Sequence, residues 1–280
     1  MPYAKSGGHR IYFETFGQEE DPPIILIQGF AAQMIAWHRA FYEKLVHRGM
    51  RVILFDNRDV GLSDKMGGPN DPGAQYTVED MVNDVVSVLD TLDIKSANVA
   101  GASMGGLIAQ FMAINHPERV RSLSLIYTSP SLEYATDEVK ESLKPLELMK
   151  RTTRAEAIEL LYEELWARRS PRYAFEEEWC RALAERSYDR CYAPEGVARQ
   201  AAAVGRAGDP LPALRQLDTP TAVIHGRADP MVKFEGGVAV ALALKNAEMH
   251  IYFGMGHELP VLLFDEIANI IARTVARGGS

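Results

Sequence analysis

Residues 98–107 constrain the fold of this chain more than any other stretch. They read Asn-Val-Ala-Gly-Ala-Ser-Met-Gly-Gly-Leu, where a short apolar run ends and, from Leu107 on, apolar residues recur at helical spacing. Gly101 and Gly105 lie two residues on either side of Ser103, where a Cβ would collide as a strand and a helix close on each other. The pattern predicts a sharp turn from a buried strand into a helix, with Ser103 at its apex.

A serine in such a turn is held in a strained backbone conformation and stands clear of its neighbours, which is the geometry of a G-x-S-x-G nucleophile turn. The N–H of Met104 opens the following helix and would point toward an oxyanion formed at Ser103, with the helix dipole adding to the attraction. The alternative is a glycine-rich turn whose serine merely begins a helix. An acid and then a histidine farther along the chain would favour the nucleophile.

Short apolar runs typical of buried strands alternate with segments of helical spacing along most of the chain. Strands are predicted at 9–16 (an edge strand), 24–27, 52–55, the run that enters Gly101, 123–127, 221–225 and 249–253. Helices are predicted between Trp37 and Gly49, after Ser103, and at about 77–92, 234–244 and 260–276. This alternation predicts an α/β fold, with a mostly parallel central sheet and helices on both faces.

Strand patterns stop between Ser131 and Arg206, where Glu, Arg, Ala and Leu dominate. Helical spacing is seen at Leu143, Leu146 and Met149, and again at Ile158, Leu161 and Leu165. We therefore expect two parts: residues 1–130 and 207–280 form the α/β core, and residues 131–206 form a helical cap inserted into it. The loop through Pro69 and Pro72 separates the strand at 52–55 from the helix at 77–92.

The two missing partners of Ser103 follow the last two predicted strands. Asp229 lies in Gly-Arg-Ala-Asp-Pro after the strand at 221–225, and His257 lies in Gly-Met-Gly-His after the strand at 249–253. Parallel strands bring their carboxyl ends to one edge of a sheet, so the loops carrying Ser103, Asp229 and His257 are expected to converge. Taken singly, Asp229 before Pro230 is also compatible with a simple turn, and His257 with a loop residue.

These three residue types suit nucleophilic catalysis. A serine hydroxyl needs a base to accept its proton, and imidazole titrates near neutral pH. A carboxylate holds the imidazole in the useful tautomer and stabilises the imidazolium. The chain order Ser, Asp, His is the one expected for this turn. A second oxyanion donor is expected from the loop after the strand at 24–27, where the N–H of Phe30 would join that of Met104.

Composition and charge narrow the classes of partner. The 280 residues carry a formal charge of -8, which disfavours nucleic acid and anionic membranes. Residues 1–23 contain seven acidic, basic or histidine side chains and no apolar core of signal-peptide length, and no apolar stretch reaches about 18 residues. Cys180 and Cys191 are expected to be free thiols in a reducing compartment. We expect a cytoplasmic protein without a membrane span, present as a monomer or homodimer.

A metal site is not expected. The seven histidines include no H-x-x-x-H pair on a helix, and six of them, His225 among them, are isolated in the sequence and read as surface or core residues. No cofactor is predicted.

The chain resembles the α/β-hydrolase superfamily, and within it the bacterial serine esterases of the aclacinomycin methylesterase type and their carboxylesterase relatives. The resemblance covers nearly the whole chain and rests on the following segments: Gly101-Ala-Ser-Met-Gly105, Asp56-Asn-Arg-Asp-Val-Gly-Leu-Ser63, Gly226-Arg-Ala-Asp229 and Gly254-Met-Gly-His257. Two departures stand out: Gln28-Gly29 where many members have His-Gly, and Asp59 where a glycine is more usual. Both leave the oxyanion amides available.

The resemblance implies hydrolysis of a small-molecule ester through an acyl-enzyme. A serine nucleophile disfavours dehalogenation and epoxide opening, which use an aspartate in this fold. Perhydrolysis or haloperoxidation without a cofactor, and carbon–carbon cleavage of a diketone, use the same triad and remain alternatives. The absence of a proline between Phe30 and Trp37 favours ester hydrolysis over perhydrolysis. A receptor with an idle triad is a further alternative.

The substrate pocket is expected to be apolar and aromatic. Trp37 lies near the strand ends, and Trp166 and Trp179 lie in the helical insertion. Most aromatic residues of the insertion would pack helix against helix, and those that remain would line the pocket. An uncharged acyl or alkyl group of moderate size is the expected substrate.

Overall fold

The computed structural model describes residues 2–68, 75–143 and 152–279. Eight strands run through it: β1 (Tyr3–Ser6), β2 (His9–Phe16), β3 (Pro23–Ile27), β4 (Arg51–Phe55), β5 (Ala97–Ala102), β6 (Val120–Ile126), β7 (Thr221–Gly226) and β8 (Ala247–Tyr252). The predicted loop through Pro69 and Pro72, and the helical positions Leu146 and Met149, lie outside the described residues.

All eight strands belong to one sheet in the order β1-β2-β4-β3-β5-β6-β7-β8. Strands β3 to β8 pair in parallel, while β1 and β2 are antiparallel to their neighbours. The mostly parallel sheet predicted from the sequence is therefore confirmed. Because β5, β7 and β8 run in the same direction, the loops that follow them leave the sheet at one edge.

The prediction that residues 9–16 form an edge strand is wrong. Strand β1 lies outside β2, and the two are joined by a two-residue turn, because Ser6 is paired with His9. Gly7 and Gly8 both have positive φ, 53° and 90°. A Gly-Gly pair is a strong hairpin signal, since glycine adopts these angles without a Cβ clash, and it reveals the extra strand even though β1 lacks a β-branched run.

Ten α-helices occur in the described part of the chain. They are α1 (Arg39–Val46), α2 (Val78–Thr91), α3 (Met104–Asn115), α4 (Asp137–Ser142), α5 (Arg154–Ala167), α6 (Glu177–Arg190), α7 (Pro194–Gly205), α8 (Leu211–Leu214), α9 (Phe234–Ala243) and α10 (Phe264–Arg277). The C-terminal helix begins a few residues later than predicted, because residues 261–263 form a 3-10 turn.

The core is divided between the two faces of the sheet by the alternation of side chains along each strand. On one face, Ile25, Ile27 and Val99 pack with α2, α3 and α9. On the other face, Ile24 and Leu26 pack with α1 and α10. Both faces are covered, which explains why the central strands read as continuous apolar runs.

The residues described between β6 and β7 form helices α4 to α8, joined by turns and loops. Within the residues that the structure covers, the one β-bridge from this segment to the rest of the protein is the isolated bridge between Ala135 and Val232. A small apolar cluster of its own, centred on Tyr162, Cys180 and Ala184, holds α5 against α6. The helical character predicted for this part of the chain agrees with these observations.

The loop after β4, residues 56–59, places four polar residues in the interior. Asp56, Asn57, Arg58 and Asp59 are each at most 6% exposed. Arg58 forms a two-point ion pair with Asp84 of α2, with Nε–Oδ2 and Nη2–Oδ1 distances of 2.6 and 2.7 Å. Buried charges are tolerated only when they are paired, so this loop depends on partners from distant segments.

No helix among the described residues is both long and apolar enough to cross a lipid bilayer.

We expect Asp84→Ala to lower the free energy of unfolding by about 3–5 kcal/mol, because the Arg58 charge is left buried without its partner. Urea denaturation of the purified variant measures this loss. The control is Arg10→Met, which removes the solvent-exposed ion pair with Asp64 and is expected to shift the midpoint far less. Equal unfolding midpoints for Asp84→Ala and the wild type would contradict the role of the buried pair.

Candidate active site

Ser103 occupies the turn between β5 and α3, as the glycine pattern predicted. Its backbone has φ 54° and ψ -121°, a strained region for a residue with a Cβ. Two hydrogen bonds hold the turn. The N–H of Ser103 donates to the Ile126 carbonyl at 2.9 Å, and the carbonyl of Ser103 accepts from the Thr128 hydroxyl at 2.7 Å.

The two glycines of the turn let backbone approach backbone. A Cβ on Gly101 would lie 2.2 Å from the carbonyl oxygen of Gly105. A Cβ on Gly105 would lie 2.1 Å from the carbonyl oxygen of Ile27 in the neighbouring strand β3. Any larger residue at either position would separate β3, β5 and α3, and Ser103 would move with them.

Asp229 and His257 lie beside Ser103, as expected from the strand ends. The distance from Ser103 Oγ to His257 Nε2 is 2.9 Å, and His257 Nδ1 is 2.7 Å from Asp229 Oδ2. An ionised carboxylate accepts hydrogen bonds only, so His257 Nδ1 carries the proton and Nε2 is free to accept from the serine hydroxyl. The three side chains therefore form one hydrogen-bonded chain.

The carboxyl of Asp229 is fully buried and saturated with donors. Its Oδ1 accepts from the N–H groups of Met231 and Val232, at 2.8 and 2.9 Å. Burial by itself would raise the pKa of Asp229, but the charge of His257 and hydrogen bonds from His225 and His257 outweigh it and hold the pKa below its usual range. Asp229 therefore stays ionised and orients the imidazole.

His225 is a feature of this site that the sequence reading did not assign to it. The residue is a core histidine with no exposed surface. Its Nε2 lies 3.1 Å from the Val232 carbonyl oxygen and 3.4 Å from Asp229 Oδ2. Its position at the end of β7, four residues before Asp229, was the signal available in the sequence.

The two amides expected at the oxyanion site belong to residues that line one cavity together with Ser103. Phe30 lies in the β3 loop (residues 28–32), and Met104 is the first residue of α3. In this loop Gly29 N–H donates to the Gln28 side chain, and Ala31 N–H donates to Gln200. Within the described residues, no protein group accepts a hydrogen bond from the N–H of Phe30 or Met104. The oxyanion role that the sequence predicts for the two amides requires such unoccupied donors.

Gln28 occupies the position where many α/β-hydrolases have histidine, and its hydrogen bonds show that it stabilises the loop. Its side-chain oxygen accepts from the N–H of Gly29 at 2.7 Å, and its backbone carbonyl accepts from the Asn57 side chain at 3.0 Å. Gln28 therefore stabilises the start of the β3 loop and leaves the Phe30 amide available.

Two cavities meet at Phe30 and His257. The serine cavity, about 90 Å³, is lined by Ser103, Met104, Leu107, Leu132, Val204 and others, mostly apolar. The aromatic cavity, about 160 Å³, is lined by Trp37, Phe41, Tyr127, Trp179 and Phe264, together with polar residues such as Glu258. Phe30 and His257 line both cavities, so a molecule bound across them would pass the reactive groups.

Two of the three tryptophans predicted for the pocket line a cavity, and the third does not. Trp37 and Trp179 line the aromatic cavity. Trp166 lines neither cavity: its side chain is 43% exposed, and its ring packs edge-on against Phe175 and under the Arg169 guanidinium. The prediction for Trp166 needs correction, because periodicity does not tell which side of α5 faces the core.

Cys180 also lines the aromatic cavity, but it is a poor nucleophile. Burial raises the pKa of its thiol to about 12, so the thiolate is not formed at neutral pH. Ser103 remains the nucleophile candidate in this region.

The histidine loop is tied to the segment between α5 and α6. The N–H of His257 donates to the Arg168 carbonyl at 2.9 Å, and the N–H of Gly256 donates to the Ser170 hydroxyl at 2.9 Å. The Ser170 N–H in turn donates to Glu258. The inserted helices thus help to hold His257 in place.

Comparison with known proteins agrees with the resemblance read from the sequence. A family model described as the alpha/beta hydrolase fold matches residues 22–262. Rhodomycin D methylesterase of Streptomyces peucetius is 33% identical over 116 residues, covering 41% of this chain and 38% of the relative. The 2-hydroxymuconate semialdehyde hydrolase of a Pseudomonas strain is 29% identical over 250 residues, covering 84% and 80% of the two chains.

Solved structures share the fold over the whole chain. An esterase from Thermogutta terrifontis has a TM-score of 0.78 at 23% identity and covers 100% of this chain and 98% of that one. The enol-lactonase from Burkholderia xenovorans has a TM-score of 0.77 at 24% identity, covering 99% of both chains.

We expect Gly105→Ala to reduce stability by about 1–3 kcal/mol or more, because the added methyl overlaps the Ile27 carbonyl. The yield of soluble protein and the urea midpoint measure the loss. The matched control is Gly208→Ala, whose added Cβ meets no atom within 4 Å. A wild-type midpoint for Gly105→Ala would show that the turn does not need this close approach.

Proposed function

The chain belongs to the α/β-hydrolase family, and on that premise we propose that it is a serine esterase acting on carboxylic esters of small to medium apolar substrates. The observation that carries the proposal is the hydrogen-bonded chain Ser103–His257–Asp229 beside two amides without protein acceptors. A nucleophile, a base, an orienting acid and an oxyanion site are the complete set that acyl transfer needs.

The reaction begins when Ser103 Oγ attacks the ester carbonyl and His257 Nε2 takes the hydroxyl proton. The carbonyl oxygen becomes an oxyanion and accepts hydrogen bonds from the N–H groups of Phe30 and Met104. As the carbon–oxygen bond to the alcohol breaks, His257 gives its proton to the departing alkoxide. The alcohol is released and the acyl group stays bound to Ser103 as the acyl-enzyme. Water then attacks the acyl carbon while His257 takes one of its protons. The bond to Ser103 breaks, His257 returns the proton to Ser103 Oγ, and the acid leaves.

The two cavities suggest where each half of the ester binds. The serine cavity contains Ser103 and both oxyanion residues and is otherwise mostly apolar, so we assign the acyl group to it. The larger aromatic cavity is reached past His257, the residue that protonates the alcohol, and we assign the leaving alcohol to it. Trp37 and Trp179 would contact that alcohol.

Residues 131–206 act in this proposal as a helical cap over the core formed by residues 1–130 and 207–280. Leu161 and Leu165 of α5 line the aromatic cavity, while Val139 of α4 and Val204 of α7 line the serine cavity. Substrate size is then set by the cap. Cys180 and Cys191 are free thiols, which fits the reducing cytoplasm that we propose as the location.

A second reaction has one observation in its favour. The relative that aligns over 84% of this chain hydrolyses 2-hydroxymuconate semialdehyde, as its name states. The same serine, histidine and oxyanion site can cleave a carbon–carbon bond next to a carbonyl. Turnover of a dienol diketone, with no ester turnover, would favour this reaction over the esterase.

We expect the wild type to release p-nitrophenol in a pre-steady-state burst from p-nitrophenyl esters, because the acyl-enzyme forms before water attacks it. Ser103→Ala should abolish the burst. Asp229→Asn should lower kcat by about 10⁴-fold, because it favours the wrong tautomer of His257. A folded wild-type protein with no turnover on esters from acetate to octanoate would disprove the esterase proposal.

We expect Val204→Phe to lower kcat/KM for the octanoate ester relative to the acetate ester by about tenfold, because the larger ring fills the serine cavity. The measurement is kcat/KM across the p-nitrophenyl series. Leu161→Phe is the control, since Leu161 lines only the aromatic cavity and should leave the acyl-chain preference unchanged. The reverse result would exchange the acyl and alcohol sites.

A further inference from the structure

Gln200, in the inserted helix α7, makes hydrogen bonds to two loops of the core. Its Oε1 accepts from the N–H of Ala31 at 3.0 Å, and its Nε2 donates to the Arg58 carbonyl at 2.9 Å. The side chain has no exposed surface. Since an N–H needs an acceptor and a carbonyl needs a donor, the two contacts fix the amide in one orientation.

The contact falls on a strained part of the β3 loop. Ala31 has φ 61°, in the left-handed region that residues with a Cβ adopt only at a cost. The Ala31 N–H belongs to the peptide group between Phe30 and Ala31, so the hydrogen bond to Gln200 fixes the plane of that peptide. The N–H of Phe30 lies in the adjacent peptide group, between Gly29 and Phe30. Without this bond, the loop is free to relax toward negative φ, and that relaxation would rotate the amide away from Ser103.

Helix α7 is itself held firmly against the core at this point. The buried guanidinium of Arg199 pairs with Asp59, with Nε–Oδ2 and Nη2–Oδ1 distances of 3.0 and 2.6 Å. A Cβ on Gly196 would lie 2.2 Å from the Asp59 carbonyl oxygen, so the first turn of α7 touches this loop directly. Asp59 stands at the position where the resembling superfamily more often has glycine. The ion pair therefore fixes the part of α7 that carries Gln200.

We propose that Gln200 is a positioning residue for the oxyanion site, acting through Ala31 on the amide of Phe30. This proposal rests on the proposed function, since it assigns the Phe30 amide to the oxyanion. Gln200 lines neither the serine cavity nor the aromatic cavity, so it acts without touching substrate. The inserted helices thereby complete the reactive site as well as covering it.

The test compares Gln200→Met with the wild type in p-nitrophenyl butyrate hydrolysis and in binding of a trifluoromethyl ketone, which forms a tetrahedral adduct with the serine. We expect kcat to fall about 10- to 100-fold while KM stays within twofold, because the oxyanion forms only in the transition state. The ketone Ki should rise by the same factor as kcat falls. Hydrogen exchange of the Ala31 amide should accelerate, and this readout does not depend on turnover.

Two further variants keep the test decisive. Arg206→Gln removes the hydrogen bond from the end of α7 to the Tyr76 carbonyl, at 2.7 Å, without contacting the β3 loop, and it should leave kcat, KM and Ki within twofold. Gln200→Asn is shorter by one methylene and keeps a polar side chain. It therefore tests the same loss of the hydrogen bond to Ala31 if the methionine variant does not fold.

The outcomes separate the two proposals. Wild-type kcat and Ki in a folded Gln200 variant would overturn the positioning role while leaving the esterase intact. The same would follow from a fall in kcat with an unchanged Ki, or from an equal loss in Arg206→Gln. Absence of a Ser103-dependent burst in the wild type would overturn the esterase and the positioning role together.

Discussion

The contact between backbone and backbone at Gly101 and Gly105 is the constraint on which the rest of the site depends. Helix α3 approaches β5 and β3 so closely that a Cβ on Gly101 would lie 2.2 Å from the Gly105 carbonyl oxygen and a Cβ on Gly105 would lie 2.1 Å from that of Ile27. This approach forces Ser103 into a positive φ and directs its side chain past the end of the sheet. Hydrogen bonds to Ile126 and Thr128 stabilise the strained residue. The sheet then brings Asp229 and His257 to the same edge, because β5, β7 and β8 are parallel.

A second requirement concerns charge. Asp56, Arg58 and Asp59 follow one another in a loop that water does not reach, and each is paired with a residue far away in the chain: Arg190, Asp84 and Arg199. Two of these three partners come from the inserted helices. A buried ion pair contributes little net stability when intact and costs several kcal/mol when one partner is removed. The pairs of Asp56 with Arg190 and of Asp59 with Arg199 therefore specify where α6 and α7 dock.

The parts of the structure that could be predicted from sequence are those with a local signature. The switch from strand to helix around Ser103, the order Ser103, Asp229, His257 and the helical character of the residues after Ser131 all follow from spacing and short motifs. Strand β1 was missed because its four residues lack a strand pattern, although Gly7-Gly8 marked the hairpin. Trp166 was misplaced because periodicity does not tell which side of α5 faces the core. Gln200 and Arg199 were not singled out because contacts between positions about 140–170 residues apart leave no periodic pattern in the sequence.

These long-range contacts bear on how the site works. Ser103, Asp229 and His257, the proposed triad, follow the ends of three parallel strands, and His257 is held in addition by the segment between α5 and α6. The amide of Phe30, which we propose as an oxyanion donor, is different, since it lies in a loop whose strained Ala31 forms a hydrogen bond with Gln200 of α7. Movement of α7 would therefore disturb the oxyanion site before it disturbed the triad. Since Val204 of the same helix lines the serine cavity, an acyl group that pushes on α7 also acts on the amide that must stabilise its oxyanion. Under the proposed function, acyl preference and transition-state stabilisation are therefore coupled through one helix.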